Sequence, residues 1–242
     1  MKMQSMSGWC IEFVLLGMLF VNGAAHAQSA ESILQKTRET YSQMKSYSDT
    51  GQIIYEYGTS SEDKHTFSTA FKRSPRHLVL DFHKQGGDRY VIWADPDAFH
   101  TWWKMTGQVM DYPNPNNVPA ISMSGQSTAQ VGLKTPTLLW GKAFNSAMLN
   151  VADPALDGSE DIDGHHCYRI TGRMSDIYSA TGKEVNLRKV TVWIDTDSFL
   201  IRKMIEEAKA LPGQRNRTIT IFEPRANPTL DDASFKFAPP TE

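Results

Sequence analysis

The chain has 242 residues, which fits one domain or at most two, and its formal net charge is −2 at neutral pH. This near-neutral balance argues against nucleic acid as a partner, because nucleic-acid binding calls for a basic surface. Of the two cysteines, Cys10 lies in a predicted signal peptide and only Cys167 follows it, so no internal disulfide is expected after export.

The N-terminus has the pattern of a signal peptide. A basic residue precedes an apolar run over residues 13–21, and small residues follow that include Ala25 and Ala27. The two alanines form the A-x-A pattern of a cleavage site, and the run is too short to span a bilayer. We therefore expect residues 1–27 to be removed after Ala27. Residues 28–242 should then form a single periplasmic domain without a membrane-spanning segment.

The exported chain is predicted to begin with an amphipathic helix over residues 30–45. Ser29 can cap this helix, and apolar residues recur at helical spacing from Ile33 to Met44. A helix of this kind buries one face, so we expect it to cover part of a sheet.

From residue 46 to residue 112 the apolar pattern changes to a period of two. Phe67 and Phe71 are predicted to share one strand face, and Leu78, Leu80 and Phe82 are predicted to share a face of the next strand. Turn signals rich in glycine, proline and aspartate separate the segments. Strands at this regular spacing are typical of an antiparallel meander.

The middle segment, residues 113–150, breaks the strand pattern with several prolines. Thr135-Pro136 resembles a helix start, and it predicts a helix over 136–148 in which Trp140 and Phe144 are four residues apart. Strands resume afterwards without a flexible linker. We interpret the segment as a loop and helical insertion within one domain.

Three residues that could carry chemistry, His165, His166 and Cys167, stand together after an Asp163-Gly164 turn. Successive side chains of a strand alternate faces, so three adjacent residues cannot all ligate one ion, and no second ligand pair has the spacing of a zinc site. A strand that follows a turn is the simpler interpretation. A Cys-His nucleophile pair stays open as the alternative.

His77, Asp81 and His83 share the strand face opposite the apolar residues around Leu80 and could approach a metal ion from one side. A solvated polar face is the simpler interpretation. The sequence has no phosphate-binding glycine loop, no serine-hydrolase elbow and no zinc-protease motif. We therefore expect no metal, no cofactor and no enzymatic activity.

Four stretches carry a family resemblance, and their order and spacing extend over nearly all of the exported chain. They are ILQKTRETYSQMKSYSDTG, EDIDGHHCYRI, VTVWIDTDSFLIRKM and NPTLDDASFKFAPP. Together they resemble the periplasmic lipoprotein-carrier superfamily with the LolA/LolB-like fold, and within it predicted periplasmic proteins similar to outer-membrane lipoprotein-sorting proteins.

The resemblance implies a mainly β, α+β fold, a curved antiparallel half-barrel of about 11 strands with helices packed in its concave face. It implies lipids or the acyl chains of lipoproteins as ligands, and no cofactor. Carriers of this superfamily use an arginine to hold a lid closed, and Arg73 is its candidate counterpart at the end of an early strand.

Two short helices do not fill a wide curved sheet tightly, which predicts an apolar cavity. The main hypothesis is a periplasmic binding or carrier protein for a lipid or an acylated lipoprotein. The alternative is a module of the same fold that senses or binds envelope proteins without transport activity. The predicted cavity residues are Tyr55, Phe67, Phe71, Leu78, Leu80, Phe82, Ile92, Leu139, Trp140 and Phe144.

Overall fold

The computed structural model of the protein describes residues 28–112, 138–139, 149–174, 188–236 and 238–239. In this part of the chain, twelve strands follow one long helix, α1 (Ala30–Gln43), and a short 3-10 helix (Asp232–Phe235) lies near the C-terminus. The strands are β1 (Ser46–Gly58), β2 (Ser61–Lys72), β3 (His77–His83), β4 (Arg89–Ala94), β5 (Phe99–Trp103), β6 (Gln108–Tyr112), β7 (Ala152–Ile162), β8 (His165–Met174), β9 (Arg188–Asp195), β10 (Ile201–Glu207), β11 (Arg215–Phe222) and β12 (Arg225–Ala226).

The predicted N-terminal helix is confirmed. The Ser29 side chain caps α1 by accepting a hydrogen bond from the backbone N–H of Ser32 at 3.2 Å. Ile33, Leu34 and Tyr41 form its buried face. Met44 is in an extended conformation, which ends the helix and leads the chain into β1. None of the described helices has the length and apolar character needed to cross a membrane.

The strands form one open antiparallel sheet in which β1 and β11 join two meanders. One meander runs from β1 outward to β6, and the other runs from β11 outward to β7, while the short β12 pairs with β1. β6 and β7 therefore lie at opposite edges of the sheet although they are consecutive in the chain. The mainly β fold class, with its open antiparallel sheet, is confirmed.

The sheet face that contacts α1, here called the inner face, carries the main apolar core. The period of two places every second side chain of each strand on this face. One row of directly opposed, buried residues crosses five strands, from Tyr47 through Phe71, Leu78 and Ala94 to Phe99. Ile33, Leu34 and Tyr41 of α1 belong to the same cluster, so the helix and the sheet share one core.

A glycine in β1 makes room for an aromatic ring of the inner face. A Cβ atom at Gly51 would lie 2.3 Å from the Phe67 ring and 2.4 Å from the carbonyl oxygen of Ile221. Only a residue without a side chain fits this position. The ring of Phe67 fills the space and meets the Phe222 ring edge-on, with the ring centres 5.8 Å apart.

Candidate ligand-binding face

Eight of the ten predicted cavity residues lie within the described part of the chain, and all eight lie in or against the inner-face core. Tyr55 is partly buried against that core. Trp140 and Phe144 lie outside the described residues. The other seven are at most 3% exposed, and they are Phe67, Phe71, Leu78, Leu80, Phe82, Ile92 and Leu139.

These residues are brought together by strand register. Phe67 lies directly opposite Phe82, and Leu80 lies directly opposite Ile92. Side chains opposed in this way touch across neighbouring strands. Their nearly complete burial means that they contact one another and the residues above them in the present arrangement. A ligand that reached them would have to displace part of this cover.

The cover consists of α1 and of residues from the segment that connects β6 to β7. Leu138, Leu139 and Leu149 of that segment are buried in the same cluster as the inner face of the sheet. Arg38 of α1 reaches the segment directly, because its Nη1 donates a hydrogen bond to the carbonyl oxygen of Leu149 at 2.9 Å. A hydrogen bond therefore connects α1 to the segment between β6 and β7.

Arg73, which follows β2, bonds to both parts of the cover. Its guanidinium donates to the carbonyl oxygen of Met44 at 2.6 Å, of Tyr41 at 3.0 Å and of Leu139 at 3.1 Å. It also lies over the Phe71 ring, 5.1 Å from the ring centre. Burial lowers the pKa of Arg73, and repulsion from Arg76 lowers it further. One side chain therefore connects the end of β2 to α1 and to the connecting segment through three backbone carbonyl oxygens. This set of hydrogen bonds is called the Arg73 latch below.

A polar cluster interrupts the apolar inner face beneath the end of α1. The Tyr47 hydroxyl donates to Oδ2 of Asp49 at 2.7 Å, and Thr69 lies directly opposite Asp49 across the strand pair. The Tyr41 ring lies 5.6 Å from the Tyr47 ring, and its hydroxyl accepts a hydrogen bond from the Ile201 N–H at 3.2 Å. Asp49 is 4% exposed, so its carboxyl is removed from water.

The surroundings of Asp49 change its acidity. Burial raises the pKa of Asp49 to about 7, although hydrogen-bonding interactions with Tyr47 and Thr69 oppose that rise. A carboxyl removed from water keeps its proton longer because the charged form loses its hydration. The sequence analysis did not select this residue. The sequence did contain a signal for the position of Asp49. It is an even number of residues from Ile53 and Tyr55, so in a strand it lies on the same face as they do.

The two histidines of residues 165–167 pair with different carboxylates, and Sγ of Cys167 donates to the carbonyl oxygen of His165 at 3.4 Å. Nδ1 of His165 lies 3.0 Å from Oδ2 of Asp195, and Nδ1 of His166 lies 2.8 Å from Oδ1 of Asp161. Cys167 is fully buried, and burial raises the pKa of its thiol to about 11. The Asp163-Gly164 turn that precedes them has φ values of 48° and 81°. The interpretation as a strand after a turn is confirmed.

The face that carries His77, Asp81 and His83 is an ordinary polar surface with local partners. Asp81 accepts two hydrogen bonds from Arg89, at 2.8 and 2.6 Å, and lies 3.1 Å from Nε2 of His83. His77 packs against the Phe235 ring instead. Among the described residues, no group of three His, Cys, Asp or Glu side chains is arranged to hold a metal ion.

A second concave feature lies on the opposite, outer face of the sheet. It is a groove of about 510 Å³ that runs over β1, β2 and β11. Thr50, Thr66, Ser68 and Glu223 contribute to its lining, which is more polar than the inner face. This groove does not overlap the predicted apolar site, apart from its contact with Phe67.

The open antiparallel sheet with a helix over one face is the kind of fold that the resemblance in the sequence implied. Residues 30–242 match a family described as "Predicted periplasmic protein (DUF2092)". The chain belongs to this family, and its periplasmic location agrees with the export predicted from the N-terminus. Among curated proteins, none matches the sequence at a significant level.

Solved structures that are similar to this chain are distant in sequence. MucB is 12% identical with a TM-score of 0.50, and the match covers 86% of this chain and 62% of MucB. Lipoprotein LppX of Mycobacterium tuberculosis is 13% identical with a TM-score of 0.49, covering 84% of this chain and 97% of LppX. A LolA superfamily protein from Nitrosomonas europaea is 15% identical with a TM-score of 0.41, covering 86% and 98%. At these identities the likeness concerns the fold alone.

Proposed function

We propose that residues 28–242, released from a signal peptide after Ala27, form one periplasmic domain that binds or carries a hydrophobic ligand. The ligand is a lipid or the acyl chain of a lipoprotein, and it lies on the inner face. The residues that contact it are the eight described above together with Trp140 and Phe144. We propose that segment 113–150 is a loop and helical insertion that covers this face together with α1.

The observation that carries the proposal is the way the inner face is covered. In the described part of the chain, the wide apolar sheet face is covered by α1 and by Leu138, Leu139 and Leu149 of the connecting segment. Arg73 holds both through backbone carbonyls. An acyl chain offers the sheet the same kind of apolar contact that Leu139 and α1 offer, worth about 25 cal/mol per Å² of buried area. It can therefore replace part of the apolar contacts of the cover, while the hydrogen bonds of Arg73 oppose the opening.

A binding role also accounts for the described side chains better than catalysis does. The histidines of residues 165–166 pair with separate carboxylates, and the Cys167 thiol is buried and held protonated. A catalytic thiol needs a lowered pKa and a base that contacts it, which is the opposite arrangement. We propose a binding protein that needs no cofactor.

The alternative function, an envelope protein-interaction or sensor module, is favoured by exposed apolar side chains in β6, an outermost strand of the described sheet. In the edge strand β6, Val109 is 39% exposed and Met110 is 42% exposed. Exposed edge strands offer backbone groups and apolar side chains to an added strand of a partner. MucB, whose fold this chain shares, has been solved in complex with MucA.

Mass spectrometry of an organic extract distinguishes the two functions. The protein would be purified from periplasm without detergent, extracted, and compared with an equal amount of protein stripped by denaturation and refolding. A lipid in near-equal molar amount with the native sample supports the binding function. A lipid-free protein that co-purifies with a defined envelope protein supports the alternative.

A further inference from the structure

The groove on the outer face of the sheet is an open space of about 510 Å³, on the side opposite the proposed lipid-binding face. Ligand sites commonly have volumes of roughly 300–1,000 Å³. The floor of the groove consists of neutral polar side chains that strand register places side by side. Thr50 lies opposite Ser68, and Gln52 lies opposite Thr66. The groove is therefore formed by the folded sheet itself and does not depend on opening of the cover.

Longer side chains of β3 and β4 form one wall of the groove. His83 lies opposite Thr66, and Asp81 lies opposite Ser68. Arg89 donates two hydrogen bonds to Asp81, at 2.8 and 2.6 Å, and Nε2 of His83 lies 3.1 Å from the same carboxylate. The negative charge of Asp81 is therefore already balanced within the wall.

The opposite wall has an apolar surface. Ile221 of β11 lies opposite Gln52, and its side chain is only partly buried. Lys203 of β10 lies opposite Ile221, and its ammonium group lies over the Trp193 ring, 4.8 Å from the ring centre. A ligand in the groove would therefore meet polar groups on the floor and an apolar side chain on this wall.

The lining also offers hydrogen-bonding groups that are open to solvent. Oε2 of Glu223 accepts a hydrogen bond from the Thr50 hydroxyl at 2.8 Å, and the Glu223 side chain is exposed. Ser68 and Thr66 are exposed as well. A hydroxyl group both donates and accepts, as does the amide of Gln52, whereas a carboxylate only accepts. The groove therefore presents neutral donors and acceptors around one carboxylate.

The charge of the lining limits the class of ligand. Of the described residues that line the groove, Glu223 is acidic and none is lysine or arginine. An anionic ligand would meet Glu223 without a compensating positive charge, which is unfavourable. A wholly apolar ligand would leave the polar groups of the floor without partners. A neutral sugar chain avoids both problems, because its hydroxyl groups donate and accept while the C–H groups of its rings can contact an apolar side chain.

We propose that the outer-face groove binds a neutral oligosaccharide of pyranose units. Glu223 accepts hydrogen bonds from ring hydroxyls, Thr66 and Ser68 bind further hydroxyls, and Ile221 contacts the C–H groups of a ring. A second hollow of about 340 Å³, which includes Phe222, adjoins the groove at Glu223, so the surface suits a chain of sugars. This site is separate from the inner face and does not rest on the proposed lipid binding.

Titration of the isotope-labelled native protein with neutral oligosaccharides, followed by amide NMR spectra, tests the proposal. The probes are maltotetraose, cellotetraose and tetra-N-acetylchitotetraose. We expect at least one of them to bind saturably and to shift amide signals of β1, β2 and β11. Tetragalacturonate has the same number of rings but is negatively charged. It should bind about tenfold more weakly than the best neutral probe, because it meets the Glu223 carboxylate.

Variants assign the binding to the groove. Ser68→Trp places a large ring on the floor and should weaken binding of the best neutral probe by about tenfold or more. Glu223→Gln removes the charge and should weaken it by about fivefold, because hydrogen bonds to a charged group are stronger than neutral ones. Glu207→Gln is the matched control, since Glu207 pairs with Lys189 at 3.4 Å and does not line the groove. It should leave the affinity unchanged. The melting temperature of each variant verifies that it is folded.

The results that would overturn the proposal are distinct from those that concern lipid binding. The proposal is wrong if none of the three neutral probes causes saturable shifts, or if the shifts lie outside the groove. Unchanged affinity in both Ser68→Trp and Glu223→Gln would also overturn it, and so would tighter binding of tetragalacturonate than of every neutral probe. The lipid-binding function of the inner face would survive each of these results.

Discussion

Nη1 of Arg73 donates a hydrogen bond to the carbonyl oxygen of Leu139 at 3.1 Å. This bond joins the end of β2 to the segment that connects the two edges of the sheet. Two more bonds from the same guanidinium go to carbonyl oxygens at the end of α1. One side chain therefore fastens both parts of the cover to the sheet, and its loss should release them together.

Replacing Arg73 with Met tests this latch. Met has a similar length but no donor, so three carbonyl oxygens lose their partner. We expect a loss of about 2–4 kcal/mol in the free energy of unfolding, since hydrogen bonds to charged groups contribute about 1.5–3 kcal/mol each and water replaces some of them. Backbone amides of α1 should also exchange with deuterium at least tenfold faster, which hydrogen-exchange mass spectrometry measures.

The control for Arg73 is Arg169→Met. Arg169 pairs with Asp157 at 2.9 Å on an exposed surface of β7 and β8, and exposed pairs of this kind contribute about 1 kcal/mol or less. This variant should not change exchange in α1. If Arg73→Met leaves the α1 amides as protected as in the wild type, the latch interpretation is wrong.

Asp49→Asn should change how stability depends on pH. The folded-state pKa of Asp49 is raised from 3.8 to about 7, so the folded protein retains a proton that the unfolded chain releases. The resulting stabilisation is fully present below pH 3.8 and is lost as pH rises to about 7. Relative to Asp49→Asn, the wild-type protein should therefore lose up to about 1.4 kcal/mol per pH unit across this range.

Urea denaturation of both proteins between pH 4 and pH 8 measures this difference. Carboxylates whose pKa is lowered, such as Glu56 beside Arg217 and Asp195, give the opposite slope. They are present in both proteins and cancel in the comparison. A difference between wild type and Asp49→Asn that stays constant with pH would show that Asp49 is ionised normally in the folded state.

The two histidines of the 165–167 stretch are expected to be dispensable for ligand binding. His166 and Asp161 are both exposed, and His165 is about half-exposed beside Asp195. Replacing both histidines with Ser should lower the free energy of unfolding by less than about 1 kcal/mol, because exposed pairs contribute little. Binding of the neutral fluorescent probe N-phenyl-1-naphthylamine should be unchanged. Stoichiometric zinc in the wild type that disappears in the double variant would contradict this interpretation.

Much of the fold could be predicted because its patterns are local. The Ser29 cap and the spacing of Ile33, Leu34 and Tyr41 determine α1, and the alternation of Phe67, Phe71 and their neighbours determines which faces are buried. The pairing of β1 with β11 could not be obtained in this way, because it joins residues more than 150 positions apart, such as Ile53 and Thr220. No local periodicity encodes that contact.

The candidate site was predicted in its apolar part and missed in its polar part. Leu80 and Ile92 were selected because apolar residues on one strand parity define a buried face. Asp49 and Thr69 were missed because polar residues on a strand are ordinarily assigned to the solvated face. Both residues are buried in the folded protein, and burial of this kind depends on tertiary contacts that the strand pattern does not carry. Arg73 was a candidate from family resemblance, but its three carbonyl partners became visible only in the structure.

The most direct test of the binding function is a titration of the neutral probe into the wild-type protein and into Leu80→Trp. Leu80 is fully buried at the centre of the predicted ligand face, opposite both Thr69 and Ile92. Ser68→Trp is the matched control, since Ser68 is exposed on the outer side of the same strand pair.

We expect saturable probe binding to the wild type and to Ser68→Trp, and at least tenfold weaker binding to Leu80→Trp. The melting temperature of Leu80→Trp should stay close to that of the wild type. A face packed as a permanent core predicts a different result, because overfilling such a core costs about 1–3 kcal/mol or more. A marked fall in the melting temperature of Leu80→Trp, together with no probe binding to the wild type, would contradict the account.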